Sequence, residues 1–211
     1  MKPSALVLCD DQWHPAETVR RGLCALNHSP VEFEFLTDGN KWTPALLKNF
    51  PLVVVAKANH NCATNQNPWL TTETQSTFRE FVTAGGGLLL LHAGTCYKDI
   101  PVMRSVTGGA FLSHPEQCSV TVEPKNGHAL TAGMDAFTEI DEHYFMMLDT
   151  TDADVFLHSR SAHGIQPAGW TRTEAAGRIC ALTPGHNLAV WLNPQFQNLL
   201  VNALVWTTKL N

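Results

Sequence analysis

Three histidines of this chain follow segments typical of buried β-strands. His92 comes directly after four leucines, His60 lies in the polar loop after a run of valines, and His186 stands in a Pro-Gly-His turn after GRICALT. Glu142 precedes a further apolar segment that begins with Tyr144. Three imidazoles and one carboxylate are donors that Zn²⁺ or a similar divalent metal accepts, with a position left for water or substrate.

The sequence therefore predicts a metal site, most simply for zinc, made of His60, His92, Glu142 and His186. Catalytic roles are predicted for His92, Glu142, His186 and Tyr144, the last as a hydrogen-bond donor to a developing oxyanion. No HExxH or HxH spacing ties two of these residues together, so the alternative for each histidine is an ordinary hydrogen-bonded residue of a loop or the core.

The first half of the chain alternates strand-like and helix-like segments, which predicts a parallel sheet with right-handed crossovers. Four strands are predicted from short apolar runs at residues 5–8, 33–36, 52–56 and 88–91. The carboxyl ends of parallel strands share one edge, where ligands bind in open α/β sheets. We therefore expect His14, His60 and His92 to be neighbours at that edge.

The second half is less regular and reads mainly as strands separated by turns. These strand-like segments surround Cys118, Tyr144, Val155, Trp170 and Ile179. Earlier in the chain, Thr72 and Gln75 have the spacing of a helix capping box. A closing helix is predicted from Pro194, because apolar residues recur at helical spacing after it. Together these patterns predict one α/β domain over residues 1–211, with a mostly parallel sheet, helices on both faces and extra antiparallel strands in the second half.

The segment GGGLLLLHAGTC has the character of a nucleophile elbow, a sharp strand-to-helix turn that exposes a reactive side chain. Here the tip is His92 rather than serine or cysteine. The alternative is cysteine chemistry, with Cys96 as nucleophile and the HPE phrase at residues 114–116 as base and orienting acid. Cys96 lies past the tip, and HPE follows the elbow closely instead of lying far downstream as in class I amidotransferases. A buried structural thiol is the preferred interpretation.

Composition excludes several classes of protein. The chain has 211 residues and a formal net charge of −5, which offers no basic footprint for nucleic acid. No apolar run is long enough to cross a bilayer, and the first residues lack a secretory signal pattern, so we expect no membrane partner and a cytoplasmic location. The six cysteines are scattered without a CxxC pair, which favours reduced thiols. The fold class allows a homodimer through a sheet edge or an exposed helix.

An ordered series of motifs resembles the ThuA-like, or trehalose-utilisation, family. The series is GGGLLLLHAG, SHP, NGHALTAGM, DEHY, a strand pair with GW and GR, PGH and a closing helix, and it covers the chain from about Phe50 to the end. The resemblance implies a three-layer, flavodoxin-like fold of the class I glutamine amidotransferase-like type. It implies that the nucleophile is lacking and that histidine fills the elbow position, as at His92. His186 then corresponds to the region where an amidotransferase keeps its triad histidine.

The resemblance also implies a role in sugar metabolism, on trehalose-like disaccharides or their keto forms, and not a glutaminase. A metal-assisted isomerase, lyase or hydrolase of keto sugars is the enzyme that we expect, with a small carbohydrate as partner. The alternative is a non-catalytic binding or assembly protein on a degenerate amidotransferase-like fold.

Overall fold

The computed structural model describes residues 2–149 and 151–210. Within these residues, eleven strands form one nine-stranded and one two-stranded sheet. The strands are β1 (Ser4–Cys9), β2 (Glu32–Leu36), β3 (Leu52–Ala56), β4 (Gly87–Leu91), β5 (Gly109–Ser113), β6 (Cys118–Pro124), β7 (Phe137–Asp141), β8 (Phe145–Leu148), β9 (Asp154–Ser161), β10 (Gly164–Glu174) and β11 (Gly177–Leu182). The α-helices are α1 (Ala16–Cys24), α2 (Pro44–Leu47), α3 (Ser76–Thr83), α4 (Pro101–Thr107), α5 (Leu188–Leu192) and α6 (Pro194–Thr208).

The large sheet has the strand order β2-β1-β3-β4-β11-β10-β9-β6-β7. The first five strands in this order are mutually parallel. The other four are antiparallel to their neighbours, and β5 pairs with β8 in the small sheet. The predicted α/β fold, with a mostly parallel first half and antiparallel strands in the second, is confirmed.

Helices cover both faces of the parallel strands, which explains the unbroken apolar runs of the sequence. Every residue of β3 and of β4 is buried. Helices α1, α5 and α6 pack on one face, and α3 and α4 pack on the other. A strand buried on both faces must be apolar at consecutive positions rather than at alternate ones. Polar side chains that follow such strands therefore emerge at the carboxyl edge of the sheet.

Two local predictions differ from the structure. The capping box is wrong: α3 begins at Ser76, and the side chain of Gln75 instead accepts a hydrogen bond from the Val102 amide at 2.8 Å and donates one to the Thr72 carbonyl at 3.2 Å. The second is the sharp strand-to-helix turn predicted after β4: the chain first forms a short 3₁₀ turn, His92–Thr95, and α4 begins only at Pro101. Among the described residues, no helix is long and apolar enough to span a membrane.

Candidate metal centre

The turn after β4 holds His92 in a constrained position at the carboxyl edge of the sheet. The backbone of His92 has φ of +45°, in the left-handed region that few non-glycine residues adopt. Two residues later, a Cβ on Gly94 would lie 1.9 Å from the carbonyl oxygen of Val55, so the turn packs directly against β3. His92 is only 2% exposed. The elbow geometry therefore presents an imidazole in a fixed and nearly solvent-free position.

Four side chains converge around this turn, each able to offer one ligand atom. His14, His92, Glu142 and His186 place these atoms within 4.8 Å of one another. They come from the turn after β1, the turn after β4, the connection from β7 to β8, and the turn after β11. The structure thus brings together three of the four residues that the sequence predicts as ligands, and His14 is the fourth member of the group.

His60, the remaining predicted ligand, lies outside this group. Its ring is packed against Trp13, with 4.7 Å between the ring centroids. It lines the same cleft as His14 and His186. The strand pattern predicts both His14 and His60 at this edge, and of the two only His60 is predicted as a ligand. The overlooked signal is Asp11, an acidic residue three positions before His14 that can orient its ring.

Asp11 is buried and holds the imidazole of His14 in one orientation. Its two carboxylate oxygens accept from Nδ1 of His14 at 2.8 and 2.9 Å, and Oδ2 also accepts from the Ala58 amide at 2.7 Å. Burial raises the pKa of Asp11, but the hydrogen bonds from His14 and from backbone amides outweigh it and lower the pKa overall. Burial lowers the pKa of His14, which favours the neutral ring. With the proton on Nδ1, Nε2 of His14 has a free lone pair for a ligand.

The ring of His92 is oriented by a backbone carbonyl. Its Nδ1 donates to the carbonyl oxygen of Thr183 at 2.7 Å, which leaves Nε2 unprotonated in the neutral ring. That Nε2 lies 3.3 Å from Oε2 of Glu142, and Nδ1 of His186 lies 3.2 Å from the same oxygen. Both buried nitrogens lack a correctly aligned hydrogen-bond partner among the described residues. A lone pair that faces a carboxylate oxygen at this distance is repelled unless a proton or a metal cation lies between them.

The charges of the group are strongly coupled. Burial raises the pKa of Glu142, but the adjacent His186 and His92 outweigh this effect and hold the pKa well below its usual range. The Glu142 carboxylate in turn raises the pKa of His186. Glu142 therefore stays ionised at neutral pH and supplies the negative charge that a cation at this position needs.

Asp141 secures the turn that carries His186. Its buried carboxylate accepts from the amides of Gly185 at 2.8 Å, His186 at 2.9 Å and Asn187 at 3.1 Å. These bonds hold the end of β7 against the turn after β11. Consecutive residues thus have separate tasks: Asp141 fixes the backbone that carries His186, and Glu142 enters the group beside it. No sequence pattern predicts this role for Asp141.

Three members of the group, His14, Glu142 and His186, form part of the wall of a cleft with a volume of about 790 Å³, which is within the range of small-molecule sites. The cleft is lined by Trp13, His14, Ala58, Asn59, His60, Cys96, Phe111, His114, Glu142, Tyr144 and His186. Tyr144 stacks on His92 with 4.1 Å between the ring centroids. Burial raises the pKa of Tyr144 well above its usual value, so its hydroxyl stays protonated. A somewhat larger hollow, of about 900 Å³, lies beside Pro44, Phe81 and Thr207, and its lining includes none of the four converging residues.

Cys96 and His114 of the cysteine alternative also line this cleft, but Cys96 is not activated. Its thiol donates to the hydroxyl of Tyr144 at 3.8 Å, and burial raises the pKa of the thiol to about 12. The reactive form of cysteine is the thiolate, which this environment disfavours. His114 is 35% exposed in its side chain and places Nε2 3.6 Å from Oε1 of Glu142. The histidine of the HPE phrase thus neighbours Glu142.

Fold and site together describe an amidotransferase-like α/β protein whose elbow carries histidine. Residues 9–207 match the ThuA family, which is described as trehalose utilisation, and the chain belongs to this family. No curated protein matches the chain.

Several solved structures have a similar fold. A putative ThuA-like protein from Bacteroides uniformis is 21% identical with a TM-score of 0.77, and the match covers 98% of this chain and 91% of that one. A putative ThuA-like protein from Parabacteroides merdae is 17% identical with a TM-score of 0.78, over 99% of this chain and 90% of that one. The carbohydrate deacetylase Agd3 is 16% identical with a TM-score of 0.67, over 98% of this chain and 32% of that one. At these identities the likeness establishes the flavodoxin-like fold alone.

Proposed function

We propose that this protein is a metal-dependent enzyme of carbohydrate metabolism, with the metal held by His14, His92, Glu142 and His186. One observation carries the proposal: two buried imidazole nitrogens face a single carboxylate oxygen without an aligned hydrogen bond. A bound divalent cation would accept the lone pairs of all three groups at once. The carbohydrate part is supported by the description of the family and by the carbohydrate deacetylase of similar fold.

The donor set fits zinc best. Three imidazoles and one carboxylate match the nitrogen and oxygen ligands of zinc sites, and no soft thiolate is part of the group. Two ligands also have the partners that metal-bound histidines usually have on their other nitrogen, Asp11 for His14 and the Thr183 carbonyl for His92. These partners keep the protons on the nitrogens that face away from the group.

The surrounding residues suit chemistry next to a carbonyl group. The metal, when bound, would supply Lewis acidity to a carbonyl or hydroxyl oxygen of the substrate. Tyr144, kept protonated by burial, can donate a hydrogen bond to an oxyanion that develops there. His114 lines the same cleft, with Nε2 3.6 Å from Oε1 of Glu142, and its imidazole can accept a proton from a carbon alpha to the carbonyl. Isomerisation, epimerisation or elimination of a keto sugar would follow from that proton transfer.

Glutaminase chemistry is disfavoured by the same site. His92 occupies the elbow tip, and the nearby Cys96 thiol is held protonated by burial. Acyl transfer needs a thiolate or alkoxide at that tip. The proposal therefore assigns the cleft to a sugar rather than to an amide substrate.

The first test is metal content. Purified protein that has been reconstituted with zinc and then desalted should retain about one metal ion per chain. His92→Ala and His186→Ala should lose this metal while remaining folded by circular dichroism, and His60→Ala, from the same cleft but outside the group, should retain it. A wild-type protein that holds no transition metal under these conditions would overturn the proposal.

The second test addresses the reaction. The zinc-loaded protein is incubated in D₂O with keto disaccharides and with the parent disaccharides, and the proton signals of the sugars are followed by NMR. We expect deuterium to replace the proton alpha to the keto group, because this readout needs no knowledge of the product. Tyr144→Phe should slow the exchange and keep the metal. Metal binding without exchange in any keto sugar would instead favour a binding protein.

A further inference from the structure

One large apolar side chain in the cleft is left exposed to solvent. Trp13 is 55% exposed, although it contacts the ring of His60 at an angle of 46° between the ring planes. Exposed aromatic rings are common singly on protein surfaces, but this one lines the cleft that also contains His14, Glu142 and His186. Its position next to His14 in the sequence makes it part of the same turn.

The turn that carries Trp13 is fixed by the same carboxylate that orients His14. Oδ1 of Asp11 accepts from the amides of Trp13 at 2.8 Å and His14 at 3.0 Å. The amide of Asp11 donates to the carbonyl of His14 at 3.2 Å, which closes the turn in the other direction. An aromatic ring attached to a fixed backbone loses little conformational entropy when a ligand covers it.

We propose that Trp13, supported by His60, forms a subsite that binds the apolar C–H face of a sugar ring beside the metal centre. The proposal rests on the function proposed above and names the residue that selects its substrate class. A pyranose presents C–H groups on its faces and hydroxyl groups at its rim. The cleft offers an exposed indole for the first and the polar groups of His114, Glu142 and His186 for the second.

This subsite also explains how His60 contributes without being a ligand of the metal group. The backbone amide of His60 donates to the carbonyl of Ala58 at 2.9 Å, and the amide of Ala58 donates in turn to Asp11. The loop after β3 is thereby tied to the loop after β1. His60 restricts the indole, and the remaining surface of Trp13 stays available to a ring.

Fluorine NMR of protein labelled with fluorotryptophan tests the subsite. The chain has six tryptophans, and the signal of Trp13 is assigned as the one missing from Trp13→Phe. Trehalose and a panel of keto disaccharides are the titrants, and glycerol is the control for non-specific effects of hydroxyl groups. We expect a saturable shift of the Trp13 signal with at least one disaccharide and none with glycerol.

Variants then separate stacking from folding and from the metal. Trp13→Ala should weaken disaccharide binding about tenfold or more, Trp13→Phe should retain most of the affinity, and both should keep the zinc content of the wild type. The subsite is refuted if no sugar shifts the Trp13 signal, or if Trp13→Ala binds the sugar as tightly as the wild type does. A shift of Trp13 in protein that binds no metal would support the subsite and reject the metal-dependent function.

Discussion

Replacing Asp11 with asparagine changes the charge behind His14 and almost nothing in shape. The carboxylate accepts from Nδ1 of His14 and from the amides of Trp13, His14 and Ala58. An asparagine oxygen at the Oδ1 position can still accept the hydrogen bonds from the amides of Trp13 and His14. Its NH₂ group then faces the Ala58 amide, where two donors meet and one hydrogen bond is lost.

The contacts of Asp11 give an approximate size for the loss of stability and for the loss of zinc affinity. Loss of a buried hydrogen bond with an unpaired donor costs about 1–3 kcal/mol of the free energy of unfolding. Mutation of the residue that orients a metal-bound histidine, even where a hydrogen bond to the ring is kept and only the charge is lost, costs about 10-fold to 100-fold in metal affinity. This loss corresponds to about 1.4–2.7 kcal/mol of binding free energy. We therefore expect Asp11→Asn to fold, to be about 1–3 kcal/mol less stable and to bind zinc at least about tenfold more weakly.

The assay is competition for zinc with a chromophoric chelator at fixed pH and ionic strength, for wild type and variant in parallel. Asp10→Asn is the matched control. The carboxylate of Asp10 accepts from the amides of Ala16 at 3.2 Å and Ala63 at 2.9 Å, and its φ of +80° suits asparagine. Equal zinc affinity in Asp11→Asn and Asp10→Asn, with both folded, would show that the Asp11 carboxylate does not support His14 as a zinc ligand.

Three further outcomes follow from the structure. Burial raises the pKa of the Cys96 thiol to about 12, so Cys96 should react with iodoacetamide far more slowly than the exposed Cys24. Mass spectrometry follows both reactions, and equal rates would restore the cysteine alternative. Gly94→Ala would place a Cβ 1.9 Å from a β3 carbonyl oxygen and should cost about 3 kcal/mol in urea unfolding, whereas Gly127→Ala, in open space at φ of +80°, should cost about 1 kcal/mol. In metal-free protein, the Glu142 carboxylate raises the pKa of His186. The wild type should therefore have a higher free energy of unfolding than His186→Gln. This difference should be complete below about pH 6.5 and should disappear as the pH rises through the raised pKa of His186. Denaturant midpoints of the wild type and of His186→Gln, measured across this pH range, test the direction of the change. A stability difference that grows as the pH rises would contradict the prediction.

Local patterns predicted the features of the fold that depend on burial. The continuous apolar runs of β3 and β4 are confirmed as strands buried on both faces, since a strand that is covered on both faces is apolar at consecutive positions. The capping box failed because the side chain of Gln75 finds a tertiary partner, the amide of Val102, that lies 27 residues along the chain. Contacts of this kind are invisible to local spacing.

The same distinction applies to the candidate site. Sequence reasoning brought His14, His60 and His92 to one edge, since that follows from strand direction alone. The choice between His14 and His60 depends on the loops after β1 and β3, which are tied by the bond from the Ala58 amide to Asp11. This contact spans 47 residues and no periodicity encodes it. Only the Asp-x-x-His spacing of Asp11 and His14 offered a hint.

The most direct test of the metal centre is a crystal of the zinc-reconstituted protein, with anomalous differences measured on both sides of the zinc absorption edge. We expect one strong peak at about 2.0–2.2 Å from nitrogen or oxygen atoms of His14, His92, Glu142 and His186. No peak at this position, or a zinc ion bound by His60 in place of His14, would contradict it.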